Sequence, residues 1–308
     1  MKRILTLLVS FFVILEISAQ EQGIYRHYTV YPVLINPGAT GLKTGQHEFL
    51  GNMVNTWSGT EGTPVNYTFG YSGSFGRSVG LGLQLMNETN AAISRFKAAI
   101  NYAYKIQFEN AIFSVGVTTE YQQKRLRNGV LNDPSIDLTD PYLLAANDGV
   151  KFFDFGLGIH ARINESLNFG VALPNMVHTY ISKPDVAALE DPEYLGNFVG
   201  YVSNRFKISD FDFDVEPGIA IRKVSSGEGS APLLGDVNLT GYFLENKLTG
   251  GLSYHFGAEQ SGGGVLLGIM LNKVSIYYSF DIYTGDYQPY NNGKHEVTLG
   301  VALSNLTK

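Results

Sequence analysis

The 308-residue chain has no cysteine. That excludes a disulfide frame, the usual support of small exported domains, so the fold must be held by something else. Charge is also scarce. Asp, Glu, Lys and Arg make up 16% of the residues, against about 25% in an average soluble domain. The formal net charge of -6 comes with no basic excess, and no basic stripe marks a nucleic-acid surface. Beyond the first residues no run reaches the ~18 apolar residues of a membrane-spanning helix. Helical periodicity is nearly missing as well. What the chain does have is glycine, 35 residues, and tyrosine, 19.

The first residues indicate export. Lys2 and Arg3 precede an apolar run from Ile4 to Leu15, and Ile17-Ser18-Ala19 ends on a small residue. These three parts predict a cleaved signal peptide over residues 1–19. Residues 20–46 then form a short N-terminal segment, and 47–308 the main domain.

In that domain every second residue is apolar or aromatic. Phe96, Ala98, Ile100, Tyr102, Tyr104, Ile106 and Phe108 share one face, with Lys97, Asn101, Lys105 and Gln107 on the other. The same alternation runs through Val79–Leu85, Phe153–Ile159, Leu167–Leu173, Val274–Ile282 and Val297–Leu303. Period two predicts β-strands with two unlike faces. About fourteen such segments occur, each about ten residues long, the length that crosses a bilayer at a tilt. Their polar faces favour Gly, Ser, Asn and Thr over Lys and Glu, unlike a soluble surface.

The connections alternate too. Those after even-numbered strands are tight, near Gly76, Glu109, Ile163, Ser209, Glu245 and Asn272. The odd-numbered ones are expected to be longer, among them 127–149, 174–196, a stretch from Ser225 and one from Thr284. The pattern predicts an all-β chain: a transmembrane antiparallel β-barrel of about 14 strands in the outer membrane, with short periplasmic turns and long extracellular loops. An even count returns both ends to the periplasm. A soluble β-sandwich has no reason to keep this alternation.

Catalytic chemistry finds no constellation. The six histidines show no metal spacing. The "GYSGS" at Gly70 lies inside an alternating strand and lacks the strand-to-helix turn of a nucleophile elbow. No enzyme, cofactor or metal is expected. The lumen face carries a candidate polar network: Lys97, Lys105, Asp154, His160, Arg162, Asp212, Asp214, Glu216, Arg222 and Asp281. In "FDFDVEP" the three acids suit either calcium or pairing with lumen bases. Pairing is the reading taken, because charges facing a narrow interior need partners.

The N-terminal segment contains "VYPVLINPGATGL", Val30 to Leu42. Pro32 and Pro37 fix φ, and Gly38 and Gly41 permit turns closed to other residues. The segment is too short for a domain and too apolar to float. It is expected to fold into the periplasmic mouth as a plug, or to contact a partner, through Tyr31, Pro32, Leu34, Ile35, Asn36, Pro37, Gly38 and Gly41.

"LINPGATGL" at Leu34 resembles the "INPAYAG" signature of the PorP/SprF family, outer-membrane proteins of the Bacteroidetes type IX secretion and gliding machinery. "LNFGVALPNM" from Leu167, with Pro174 and Asn175, resembles that family's "GLSIPNL" element. The stretch from Ile276, with His295 and Glu296, resembles its closing "GSHEISLGY" hairpin. The resemblance implies a non-enzymatic role. The partners would be the periplasmic ring and peptidoglycan-binding proteins, or a secreted adhesin gripped by the outer loops. The rival reading is a passive porin for small solutes.

Overall fold

The structure, a computed structural model, describes residues 25–59, 62–127, 149–182, 197–208, 212–223, 233–257, 261–284 and 292–304. The leader at 1–19, the bulk of the two longest loops (128–148 and 183–196) and the turn residues 209–211 lie outside the described residues.

Fifteen strands follow in order: β1 (Gln46–Asn55), β2 (Val65–Phe75), β3 (Val79–Asn90), β4 (Ile93–Gln107), β5 (Ala111–Leu126), β6 (Val150–Ile163), β7 (Leu167–Ser182), β8 (Phe198–Asn204), β9 (Phe206–Ile208), β10 (Phe213–Lys223), β11 (Leu234–Phe243), β12 (Leu248–Phe256), β13 (Ser261–Leu271), β14 (Val274–Thr284) and β15 (Lys294–Ser304). The short β8 and β9 are two parts of one crossing, since both pair with β10. The ladder breaks between them opposite Glu216 and Pro217, and Pro217 has no N–H to donate. The barrel therefore has fourteen crossings, all antiparallel, as the alternation predicts.

The sheet closes through β1 and β15, in register from Gln46 opposite Ser304 to Asn55 opposite His295. Closure satisfies the backbone without water and removes the free edge. Gln46 and Ser304 both lie at the tight-turn end. Five tight turns are described there: residues 76–78, 108–110, 164–166, 244–247 and 272–273.

Two features of the opposite end differ from the sequence expectation. The third connection is only Ala91 and Ala92, and the one at 257–260 is also short. Strands β3 and β4 run on because their inward Glu88 and Arg95 pair across the ladder at 3.2 Å, which lets polar sequence continue as strand. The loop expected at 174–196 starts later, because β7 continues to Ser182. Pro174 would end a regular strand. Here a bulge against β6 takes it out of the ladder, with Asn175 at φ 54°.

The two faces separate cleanly. On β4, Ile100, Tyr102, Tyr104 and Ile106 are exposed, while Ala99, Ala103 and Lys105 are buried. The exposed apolar face is the one lipid would cover. Leu252, at the middle of β12, is 64% exposed. Leu252→Arg is expected to destabilise the barrel in lipid by about 2–4 kcal/mol, the cost of a cation near the bilayer midplane. Urea refolding into vesicles reads this directly. An unchanged midpoint would mean that this face is not in hydrocarbon.

Candidate functional site, a plug threaded into the lumen

Residues 25–42 lie inside the barrel, folded as three short 3-10 turns, His27–Thr29, Pro32–Leu34 and Pro37–Ala39, and 43–45 join them to β1 at the tight-turn end. The sequence placed this segment at the mouth. The structure carries it further, to where the Tyr25 hydroxyl meets Thr68 Oγ1 (2.8 Å), opposite Asn52 in mid-strand β1. Two apolar clusters with the inner wall account for the depth. Tyr25, Tyr31 and Leu34 pack with Leu50, Val54 and Tyr277, and Tyr28 packs with Ala172, Val199, Tyr201 and Ala220. Burying these groups favours the lumen over water.

The lower half of the plug is fitted to glycine. A Cβ at Gly80, Gly116 or Gly158 would overlap the Thr40 carbonyl oxygen, the Pro37 carbonyl oxygen or Asn36 Oδ1, respectively. Three strands, β3, β5 and β6, thus present bare backbone where the Pro37–Ala39 turn lies. Asn36 is 1% exposed and uses its whole amide. Its Oδ1 accepts from Gly38 N (2.8 Å), while Nδ2 donates to the Ile159 carbonyl (2.9 Å) and to the Tyr201 hydroxyl (3.2 Å). The Gly41 N–H donates to Ser72 Oγ (2.8 Å), and the Lys105 ammonium donates to the Gly41 carbonyl and to Ser74 Oγ. Gly41 itself sits at φ 62°. Tyr31 reaches the opposite wall, with its hydroxyl 2.5 Å from Ser275 Oγ and its ring edge-on to Tyr277. Pro37 and Gly38 are buried, and Pro32 and Ile35 are half-buried.

The upper end is clamped by charge. Arg26 donates to Asp236 (2.5 Å) and Asp281 (2.8 Å), and both carboxylates are buried. Asp236 is also paired with Arg222 (2.8 Å), and His255 lies between Asp236 and Asp281. Glu296 is fully buried and receives the backbone N–H groups of Arg26 (2.5 Å) and His27 (3.2 Å), plus Asn52 Nδ2 (2.8 Å). One carboxylate so caps the first turn of the plug, where backbone donors would otherwise lack partners. Burial lowers the His27 imidazole below its ordinary value, so the ring is neutral. Its Nδ1 lies 2.6 Å from Thr298 Oγ1. Burial raises the phenols of Tyr28 and Tyr31, which remain protonated.

The other lumen candidates fall in three places. Lys97 faces Glu120 at 3.5 Å. Asp154, 1% exposed, accepts from the Phe155 and Val177 N–H groups. His160 is buried and Arg162 half-buried at the plug's lower end. Near the tight turns Asp214 pairs with Arg205 (2.8 Å), and Glu216 accepts from Ser203 Oγ (2.5 Å) and Tyr242 (3.1 Å). Asp212 departs from the expected ladder. It is exposed in the turn before β10, at φ 50°, because the strand starts one residue later.

The motif residues divide by face. Glu296 points inward to the plug, whereas His295 points outward, 2.8 Å from the Tyr278 hydroxyl and against Phe280. Pro174 and Asn175 form the β7 bulge. Sequence reasoning missed Arg26, Asp236 and Tyr201, and read His255 only as a strand residue suited to lumen or interface hydrogen bonding. Asp236 and His255 lie on the inward phase of their strands and were visible there. Arg26 carried no signal, since a lone base after a leader looks solvated. The assembled groups are bonded to one another, an arrangement that holds a segment in place.

Among curated proteins no match was found. Solved structures do align. The CymD monoaromatic hydrocarbon channel gives a TM-score of 0.52 at 12% identity, covering 92% of this chain and 94% of that one. The toluene transporter TbuX of Ralstonia pickettii gives 0.51 at 11% identity, covering 93% and 95%. The TodX deltaS2S3 mutant monoaromatic hydrocarbon channel gives 0.53 at 12%, covering 88% and 92%. At such identities the likeness shows the fold alone, that of outer-membrane barrels. The sequence model for type IX secretion system membrane proteins of the PorP/SprF type matches residues 17–301. Neither this family nor the barrel neighbours is a class of enzyme. The chain belongs to the PorP/SprF family of type IX secretion system membrane proteins.

Proposed function

We propose that this chain is a closed outer-membrane adaptor that anchors periplasmic ring or peptidoglycan-linked components of the type IX and gliding machinery. In this reading residues 1–19 are the cleaved leader, 20–46 the plug and 47–308 the barrel. The observation that carries it is the plug itself. It is bonded to the lumen wall at both ends and fitted to glycine in between. A passive porin for small solutes needs an open lumen, and a filling bonded to the wall works against one.

Burial of Tyr31, Leu34, Asn36, Pro37, Gly38 and Gly41 withdraws them from any soluble partner. Docking then falls to the tight turns, which carry Glu109, Glu165 and Glu245. Reversing all three to lysine is expected to weaken co-purification of periplasmic components about tenfold, at about 0.5 kcal/mol per rim charge. Gentle-detergent pull-down from the native outer membrane measures this, with heat-modifiable mobility reporting barrel folding. A secreted surface protein co-purifying equally with wild type and variant would favour the outer loops and a cargo-holding role.

A further inference from the structure

Beneath the plug is a cavity of about 450 Å³ that reaches the tight-turn end, where Glu165, Arg205 and Asn246 line it. Its volume is typical of ligand pockets, ~300–1,000 Å³. Val30, Pro32, Val33 and Leu42 of the plug give it an apolar lining. The surrounding strands add hydroxyl and amide side chains, among them Asn168, Ser203, Asn238 and Thr240.

Two donors on β6 have no acceptor among the described residues. His160 is 1% exposed. Its Nδ1 lies 2.8 Å from the Tyr201 hydroxyl, which already accepts from Asn36 Nδ2. Nδ1 is the acceptor that the tyrosine O–H has here, and with the O–H donating to it the neutral ring carries its hydrogen on Nε2. That Nε2 is buried and unpartnered. Arg162, two residues on and so on the same strand face, has a buried Nε that is equally unpartnered. Both residues line the cavity. A buried donor without an acceptor is destabilising, and a neutral N–H beside a guanidinium matches the two oxygens of a carboxylate. The other charges of the cavity direct the anion to the same place. Glu216 is already filled by Ser203 and Tyr242, Arg205 is held by Asp214, Lys43 lies near Glu48 on β1, and Glu165 and Glu245 repel an anion at the rim.

We propose that this vestibule binds the carboxyl-terminal end of a polypeptide, its terminal carboxylate held by His160 Nε2 and Arg162 and its side chains against the plug. A peptide fits better than an alkyl chain, because the side-chain amides and hydroxyls of the walls meet backbone N–H and C=O groups that an alkyl chain lacks. The volume holds about three residues. The inference deepens the adaptor reading, since it describes how a periplasmic partner would be held, and it rests on the tight-turn end facing the periplasm.

The test is calorimetric binding of acetyl-Leu-Val-Phe to the full-length protein in detergent, as free acid and as C-terminal amide. The acid is expected to bind at least about tenfold more tightly than the amide, the worth of a charge-assisted bond. Arg162→Gln is expected to bring the acid down to the level of the amide and to leave the amide unchanged. The acid–amide comparison on wild type keeps the test intact if the variant does not fold. Equal binding of acid and amide, no binding of either, or decanoate competing as well as the acid each overturns the proposal. No periplasmic component is present, so a failure here is separate from a failure of co-purification.

Discussion

Removal of residues 25–42 is expected to turn a silent barrel into an open pore. The argument rests on what the plug touches and on what it does not. It contributes no strand to the sheet, which closes through β1 and β15. The shortened chain should therefore still form fourteen crossings and keep its heat-modifiable mobility. Its lumen would keep a wall of glycine and small polar residues, with Asp236, Asp281 and Glu296 newly reached by water. Hydrated carboxylates no longer need Arg26, so the barrel tolerates its loss. A lumen of this circumference fills with water once its contents are gone, and ion flux should rise at least about tenfold over wild type. Planar-bilayer recording of both proteins decides the matter. Steady open current from the intact protein would favour the porin reading. A silent deletion variant would show that something other than the plug seals the barrel.

Arg26→Met is expected to release the upper end of the plug. Arg26 is 7% exposed and joins two buried carboxylates, Asp236 and Asp281. After the substitution Asp236 still has Arg222 and His255, while Asp281 keeps the longer contact from His255, 3.3 Å, and the charge of Lys294 opposite it on β15. Breaking a buried pair by removing one partner costs about 3–5 kcal/mol. A loss of that size raises the open population of the plug at least about a hundredfold. The absence of cysteine makes the measurement clean. A single Tyr25→Cys reporter, labelled with an impermeant maleimide, should react at least about a hundredfold faster beside Arg26→Met. Adding Asp281→Asn should recover part of the protection, because the carboxylate left without its partner is then gone. Unchanged labelling would mean that the charge clamp does not hold the plug.

The two predictions depend on different layers of the molecule, and those layers were unequally legible. Period-two alternation is a property of the chain itself, since successive Cβ atoms leave opposite faces of a strand. Ile100 and Lys105 could be assigned to opposite faces without any knowledge of their neighbours. Turn chemistry was local too, and the tight turns near Gly76, Glu109 and Asn272 lie where the sequence put them. The errors came where local rules meet tertiary context. Pro174 reads as a strand end until a bulge accommodates it. The third connection, odd-numbered, reads as a longer loop until Glu88 and Arg95 are seen to pair across the ladder.

For the candidate site the balance reverses. The residues of "INPG" marked themselves by composition, but their destination did not. Asn36 meets Ile159 and Tyr201, and Arg26 meets Asp236 and Asp281 across 210 and 255 residues. Glycines at 80, 116 and 158 read as ordinary strand glycines until the plug backbone lies on them. The sequence by itself determined a barrel, its approximate strand number, its lipid face and its tight-turn end, because each follows from alternation and turn residues within one strand pair. Only the tertiary structure decided that the lumen is filled, by which segment, and through which groups. Those contacts exist only once closure and register bring distant strands around one axis, and no local pattern in the chain encodes that.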